Sequence, residues 1–316
     1  MRPSNDSLRP VPRPLEGGPG LDVDFPGLRI GAAEYDEGPT GCTVFHFPER
    51  ATVSIDVRGG APGWCGGDGL IDAICLAGGS AYGLEAISGV RAELLAGRGY
   101  STSWLDIALV GGAIIYDFGP RDSAVYPDVA LGRAALRAAR PGWFPLGPRG
   151  AGRSATVGKQ LRGPDGREAA GQGGAFRQVG ANRVAVFTVV NAVGAIVDRR
   201  GRVVRGNRDP ATGARGDLAG DLERALAEAA APPPGNTTLT VVVTNRRLGS
   251  HELRQLGRQV HASMARAIQP FHALTDGDVL FAVATGALDD DRLPAALLAT
   301  LASELAWDAV LASPGA

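Results

Sequence analysis

Lysine is almost missing from this chain: Lys159 is the single one, and arginine supplies every other basic side chain. Cysteine is scarce, and Cys42, Cys65 and Cys75 make an odd count at no metal-ligand spacing. Such thiols read as inert core residues in a reducing, cytoplasmic compartment. An excess of charge of either sign is lacking too. The formal net charge is −1, so no electrostatic footprint points to nucleic acid or to an anionic membrane. No apolar run reads as long enough to span a bilayer. Residues 1–20, rich in Pro, Arg and Gly, lack the apolar centre of a signal peptide and read as a flexible or surface-draped arm ahead of one domain over 21–316. The histidines His46, His251, His261 and His272 are scattered without metal spacing. They read as structural, and no metal or other cofactor is expected.

What is present is a large apolar fraction, 44% of 316 residues, enough for a sizeable core. The stretch 51–57 alternates like a half-buried strand. Residues 73–80 run into a helix with Leu84, Ile87, Val90 and Leu94 on one face and Ser80 as its N-cap. Further strands are expected at 105–116, 183–190, 194–198, 237–244 and 278–284. Helices are expected at 129–139, 221–230, from Ser250, and from Pro294 onward. Strands and helices mix without strict alternation, which favours sheets covered by helices, a layered α/β domain. The polar, turn-rich segment 206–235 reads as a mobile linker.

One dipeptide at the end of that linker carries chemistry. Pro232, Pro233 and Pro234 lead through Gly235 to Asn236, and a β-branched run opens with Thr237 and Thr238. This is how a loop delivers a threonine to the first position of a buried strand. By spacing alone, the favoured reading is that Thr237 just opens a core strand. If the Asn236–Thr237 bond is cut, however, Thr237 carries nucleophile and base in one residue: its hydroxyl attacks and its new α-amino group takes the proton. An α-amino group titrates near about 7.7–8.0, so roughly a tenth of it is neutral at pH 7, far more than of an ordinary lysine.

The stretch Gly235-Asn236-Thr237-Thr238 resembles the self-cleavage site of the DmpA/P1-type N-terminal-nucleophile peptidases, family S58. Supporting stretches occur in the family's order: 24–27, 37–41, 73–86, Val125-Tyr126-Pro127-Asp128, 192–199, and 268–278. Within the family the likeness is greatest to the branch that hydrolyses nylon oligomers. The resemblance implies an αββα sandwich, self-cleavage into an α chain of 1–236 and a β chain of 237–316, and a homo-oligomer, a tetramer of αβ units. It implies an amide hydrolase acting on small linear 6-aminohexanoate oligomers through an acyl-enzyme on Thr237. A β- or D-amino-acid aminopeptidase or esterase on the same machinery is the alternative.

The resemblance also assigns roles. Thr237 is the nucleophile, first on its own Asn236 carbonyl. Asn191 matches an asparagine whose amide donates to the oxyanion; by itself it reads equally as a strand-edge residue. Lys159 matches an active-site lysine that lowers the pKa of the Thr237 amine or positions a carbonyl, where a solvated loop lysine is the plain alternative. Asp276 and Asp278 flank Gly277 and are expected to orient the Thr237 amine, although Asp-Gly-Asp also forms an ordinary turn. Tyr126 matches a pocket tyrosine. The Gly78 and Gly79 amides, ahead of the Ser80 helix, are candidates for an anion-binding end or for a close-packed turn.

Overall fold

The computed structural model describes residues 2–159, 166–216, 218–227, 235–289 and 294–315. Its main elements are β1 (Arg29–Tyr35), β2 (Thr40–Val57), β3 (Gly69–Ala77), α1 (Glu85–Gly97), β4 (Val110–Ile114), α2 (Val129–Arg137), β5 (Gln172–Val179) and β6 (Asn182–Asn191). They continue with β7 (Thr237–Arg246), α3 (Ser250–Ser263), β8 (Val279–Leu288) and α4 (Ala295–Ala312).

The longest strand, β2, joins two sheets. Its first half pairs with β1 and β3, and its second half pairs with β8 and again with β3. The register with β3 breaks between His46 and Ala51, where Pro48 has no N–H to donate and Arg50 sits at φ 57°. The hydrogen-bonded path is continuous, β5–β6–β7–β8–β2–β3–β4 with β1 also on β2, and β2 divides it into two sheet halves, β1–β2–β3–β4 and β5–β6–β7–β8–β2. Most pairs are antiparallel. The two parallel pairs, β3 with β4 and β7 with β8, are each bridged by a helix, α1 and α3.

Strand alternation then sorts the apolar side chains into three layers. On β8, Val279, Phe281 and Val283 point between the sheets, while Leu280, Ala282 and Ala284 point outward. Ile74 and Leu76 of β3 meet the inner face from the other sheet, and Phe45, Phe144 and Phe187 pack at its centre with ring centroids 4.8–6.0 Å apart. Each such buried ring contributes about 2–3 kcal/mol of burial free energy. The outer face of the first sheet is covered by α1 and α2 through Ile87, Val90 and Leu131. The outer face of the second is covered by α3 and α4 through Leu253, Val260, Leu298 and Leu305. Helix, sheet, sheet, helix is the order expected of an αββα sandwich.

Several local expectations change. The helix α4 is, against the sequence reading, long and apolar enough to cross a membrane. Here its buried face packs on β5 and β6, and its exposed Glu304 and Asp308 pair with Arg199 and Arg266. Ser80 caps nothing: it sits at φ 53° inside a 3₁₀ turn, Ser80–Leu84, that precedes α1. The cap of α3 is Gly249, whose N–H is taken by Glu252. The N-terminal arm is draped and anchored. Asn5 bonds Tyr126 and Asp128, and Arg13–Pro14 pairs with β1. A helix runs from Leu218 to Ala227, three residues earlier than expected. The Pro232–Pro234 approach lies outside the described residues.

Candidate active site

Three strand ends meet at one edge of the second sheet. Antiparallel pairing sets the last residue of β6, Asn191, opposite the first residue of β7, Thr237. Parallel pairing of β7 with β8 brings the loop 275–278 alongside, and Asp276 bridges Asn236. The polar side chains of Asn191, Asn236, Thr237, Asp276 and Asp278 are all buried there, as is Lys159. So many buried polar groups persist only where each finds partners.

The Asn236 carbonyl is the focus. The Thr237 hydroxyl donates to it, which puts the candidate nucleophile on the carbonyl that it would attack. The Gly277 N–H donates to the same oxygen at 2.9 Å. That distance suits a donor to the oxyanion formed when the carbonyl carbon becomes tetrahedral. Gly277 is tightly held: a Cβ there would stand 2.5 Å from the Ala61 carbonyl oxygen and 2.9 Å from Thr237 Oγ1. On the other side, Gly235 takes φ 76° and lies flat on the Tyr116 ring, where a Cβ would meet ring atoms at 2.5 Å.

Asn191 is occupied differently from the expectation. Its Nδ2 donates to the Tyr116 carbonyl at 3.0 Å, and its Oδ1 accepts from Thr156 N–H at 3.1 Å and from Lys159 Nζ at 2.9 Å. The donor on the Asn236 carbonyl is thus a backbone amide, because the Asn191 amide is turned to the Tyr116 carbonyl. Lys159 Nζ also reaches the Asn191 carbonyl at 3.0 Å. Burial pulls the Lys159 amine down to about 7, with Asp276 opposing the shift. It is therefore a buried amine near its titration point and not a surface charge.

The two aspartates share the loop but not the task. Asp278 accepts from Thr238 N–H at 2.6 Å, from His272 N–H at 3.1 Å and from His272 Nδ1 at 2.9 Å. Asp276 accepts from Val193 and Ala273 N–H at 3.3 and 3.2 Å. Burial, and then the Asp278 charge, push the Asp276 carboxyl up to about 7. The expected contact with the Thr237 nitrogen is replaced by the contact one residue on, at Thr238.

The glycine pair does not form an anion-binding end. The Gly78 N–H bonds the Gly41 carbonyl at 3.0 Å, and the Gly79 N–H bonds Asp117 Oδ1 at 2.8 Å. Asp117 is in turn paired with buried Arg121, so this is a close-packed turn. Tyr126 is not brought to Thr237. It stands at the far end of an aromatic row running Tyr116, Phe118, Tyr82, Tyr126, with neighbouring centroids 5.8–6.5 Å apart. Burial and Glu85 raise its phenol pKa.

Three site residues escaped the sequence reading: Gly277, Tyr116 and His272. Gly277 acts through its backbone, for which a sequence has no signature beyond the small residue itself. Tyr116 ends a strand-like run without any marking. His272 lies in the 268–278 stretch of the family likeness, but its residue type there reads as structural. Among the described residues, no three His, Cys, Asp or Glu side chains gather as metal ligands do.

Two sheets packed face to face between helix layers, with a threonine at the start of a buried strand, define an Ntn-hydrolase type of fold. The solved L-aminopeptidase D-Ala-esterase/amidase of Ochrobactrum anthropi, described as a variant of that fold, has a TM-score of 0.65 to this chain at 15% identity, covering 94% of this chain and 87% of that one. The chain belongs to peptidase family S58, whose model matches residues 22–313, and is a hydrolase of that family. It is 49% identical over 321 residues to a 6-aminohexanoate-oligomer endohydrolase of Agromyces sp. (strain KY5R), covering 98% of this chain and 90% of that protein. It is also 51% identical over 303 residues to a putative NylC-analogous protein of the same strain, covering 92% and 98%.

Proposed function

We propose that the chain cuts itself between Asn236 and Thr237, and that the new N-terminal Thr237 hydrolyses amide bonds in linear 6-aminohexanoate oligomers. One observation carries the first half: the Thr237 hydroxyl and the Gly277 N–H both bond the Asn236 carbonyl oxygen. Attack of Oγ on that carbon gives an oxyanion on the Gly277 amide. Collapse breaks the C–N bond, passes a proton to the leaving nitrogen and leaves an ester on Thr237. Water then opens the ester, giving a carboxylate on Asn236 and a free amine on Thr237. Lys159, poised near neutrality and joined to the site through Asn191, is the nearby group suited to proton traffic in this first reaction.

In turnover the freed amine serves as the base. Asp278, already on the Thr238 N–H, and Asp276, beside residue 236, are placed to receive that amine. With backbone donors and the Thr237 amine on these two carboxylates, neither is left to hold the free amine of an aminopeptidase substrate. That favours an oligo-amide with flexible methylene spacers, the substrate named for the similar Agromyces protein. The test compares hydrolysis of 6-aminohexanoate oligomers with that of β-alanyl p-nitroanilide by the purified protein. Preference for the anilide would replace this reading with the aminopeptidase one. We further propose a tetramer of αβ units and a cytoplasmic location. The free thiols Cys42 and Cys75, buried side by side, suit a reducing compartment.

A further inference from the structure

His272 holds the loop that faces the nucleophile, and nothing above gives it a task. It lies between the Gln269–Pro270 corner and Asp278, at φ 58°, a backbone region that few residues other than glycine occupy. In that conformation its backbone N–H and its ring Nδ1 converge on one oxygen, Asp278 Oδ2, at 3.1 and 2.9 Å. The other oxygen, Asp278 Oδ1, takes the Thr238 N–H at 2.6 Å, one residue from the nucleophile.

The carboxylate oxygen accepts, so the 2.9 Å contact makes Nδ1 the donor. The ring's Nε2 is buried without a hydrogen-bond partner among the described residues. The ring is packed between neighbours. From α3, His261 stands edge-on with ring centroids 4.4 Å apart, and burial lowers its pKa. His261 is itself bonded to Asp56 of β2, which Arg58 also holds. Phe271 covers the other side, and Asp276 on the same loop is bonded to Val193 and Ala273.

We propose that His272 is a positioning residue: it grips Asp278 with two donors so that the carboxylate keeps hold of the Thr238 N–H and fixes Thr237 for both self-cleavage and turnover. The proposal rests on the self-cleaving threonine reading above. Without the ring, Asp278 Oδ2 keeps a single donor, which loosens the carboxylate and lets the first step of β7 shift.

The experiment uses the full chain with His272→Ala and His272→Asn. Asparagine tolerates a positive φ and carries a donor where Nδ1 stood. Scission at 236/237 is followed by intact mass, and kcat and KM are measured on the oligomer. The alanine variant is expected to split and turn over about tenfold or more slowly, with KM little changed. The asparagine variant is expected to restore both rates. A folded alanine variant with parental scission and parental kcat overturns the proposal. So does a folded asparagine variant as impaired as alanine, and that arm decides if alanine does not fold. A parental chain that never splits sinks the underlying reading itself, which separates the two failures.

Discussion

Replacing Gly277 with alanine tests the self-cleavage geometry through a single methyl group. The new Cβ would stand 2.5 Å from the Ala61 carbonyl oxygen and 3.1 Å from Pro62 Cα, both backbone atoms that cannot swing aside. It would also stand 2.9 Å from Thr237 Oγ1. Relief to ordinary contact requires the loop, or the nucleophile, to move by on the order of 1 Å, and such a displacement costs about 10²-fold in an oriented reaction. The same movement draws the Gly277 N–H off the Asn236 carbonyl, and a lost oxyanion donor costs about 10²–10³-fold, roughly 2.7–4 kcal/mol. Overpacking should cost about 1–3 kcal/mol of stability, less than the about 5–15 kcal/mol of a typical domain, so the variant should fold. The assay is a time course of intact mass under denaturing conditions on freshly purified protein. Scission slowed by two orders of magnitude or more is expected. A folded Gly277→Ala chain that splits at the parental rate refutes the argument.

Three further outcomes follow from the same geometry. Thr237→Ala should give one unbroken chain without amidase activity; two fragments from that variant would contradict the assignment. Asn191→Ala strips the Thr156 N–H of its acceptor and the Tyr116 carbonyl of its donor, at about 1–3 kcal/mol for each group left unpaired, leaves Lys159 the residue-191 carbonyl, and should lower the melting temperature while slowing both scission and turnover; an unchanged scission rate would show that Asn191 does not support the first reaction. In the uncut Thr237→Ala background, stability should depend on pH through two buried groups. Asp276, raised from 3.8 to about 7, contributes stability present below 3.8 and lost as pH rises through 7. Lys159, lowered from 10.5 to about 7, contributes stability present above 10.5 and lost as pH falls through 7. Urea midpoints should therefore lose their acid-side fall in Asp276→Asn and their alkaline-side rise in Lys159→Met; variants with the parental pH dependence would disprove the shifts.

The layered architecture was legible because it rests on patterns the chain states openly. β-branched runs such as 237–244 and apolar helical faces such as Leu84–Leu94 can be satisfied only by stacking. Thr237 stood out because turn residues precede it and a strand follows it. The family likeness located Asn191, Lys159 and the two aspartates, and these do converge. Their partners were not legible. Which way the Asn191 amide turns depends on the Tyr116 carbonyl, 75 residues away. Gly277 contributes a backbone N–H that any residue but proline would carry, and what singles it out is the space between Ala61 and Thr237. Which of the two readings of Gly78–Gly79 holds was not legible for the same reason: its amides look available until Asp117 folds onto them, and the close-packed turn is the one found. Ser80 carries a capping side chain, but its positive φ takes it out of the capping geometry.

The most direct measurement is the intact mass of the purified, active protein together with N-terminal sequencing of its smaller piece. Two polypeptides meeting at residues 236 and 237, the smaller beginning Thr-Thr-Leu-Thr, are the expected result. Full activity from material that remains one continuous 316-residue chain would contradict the account.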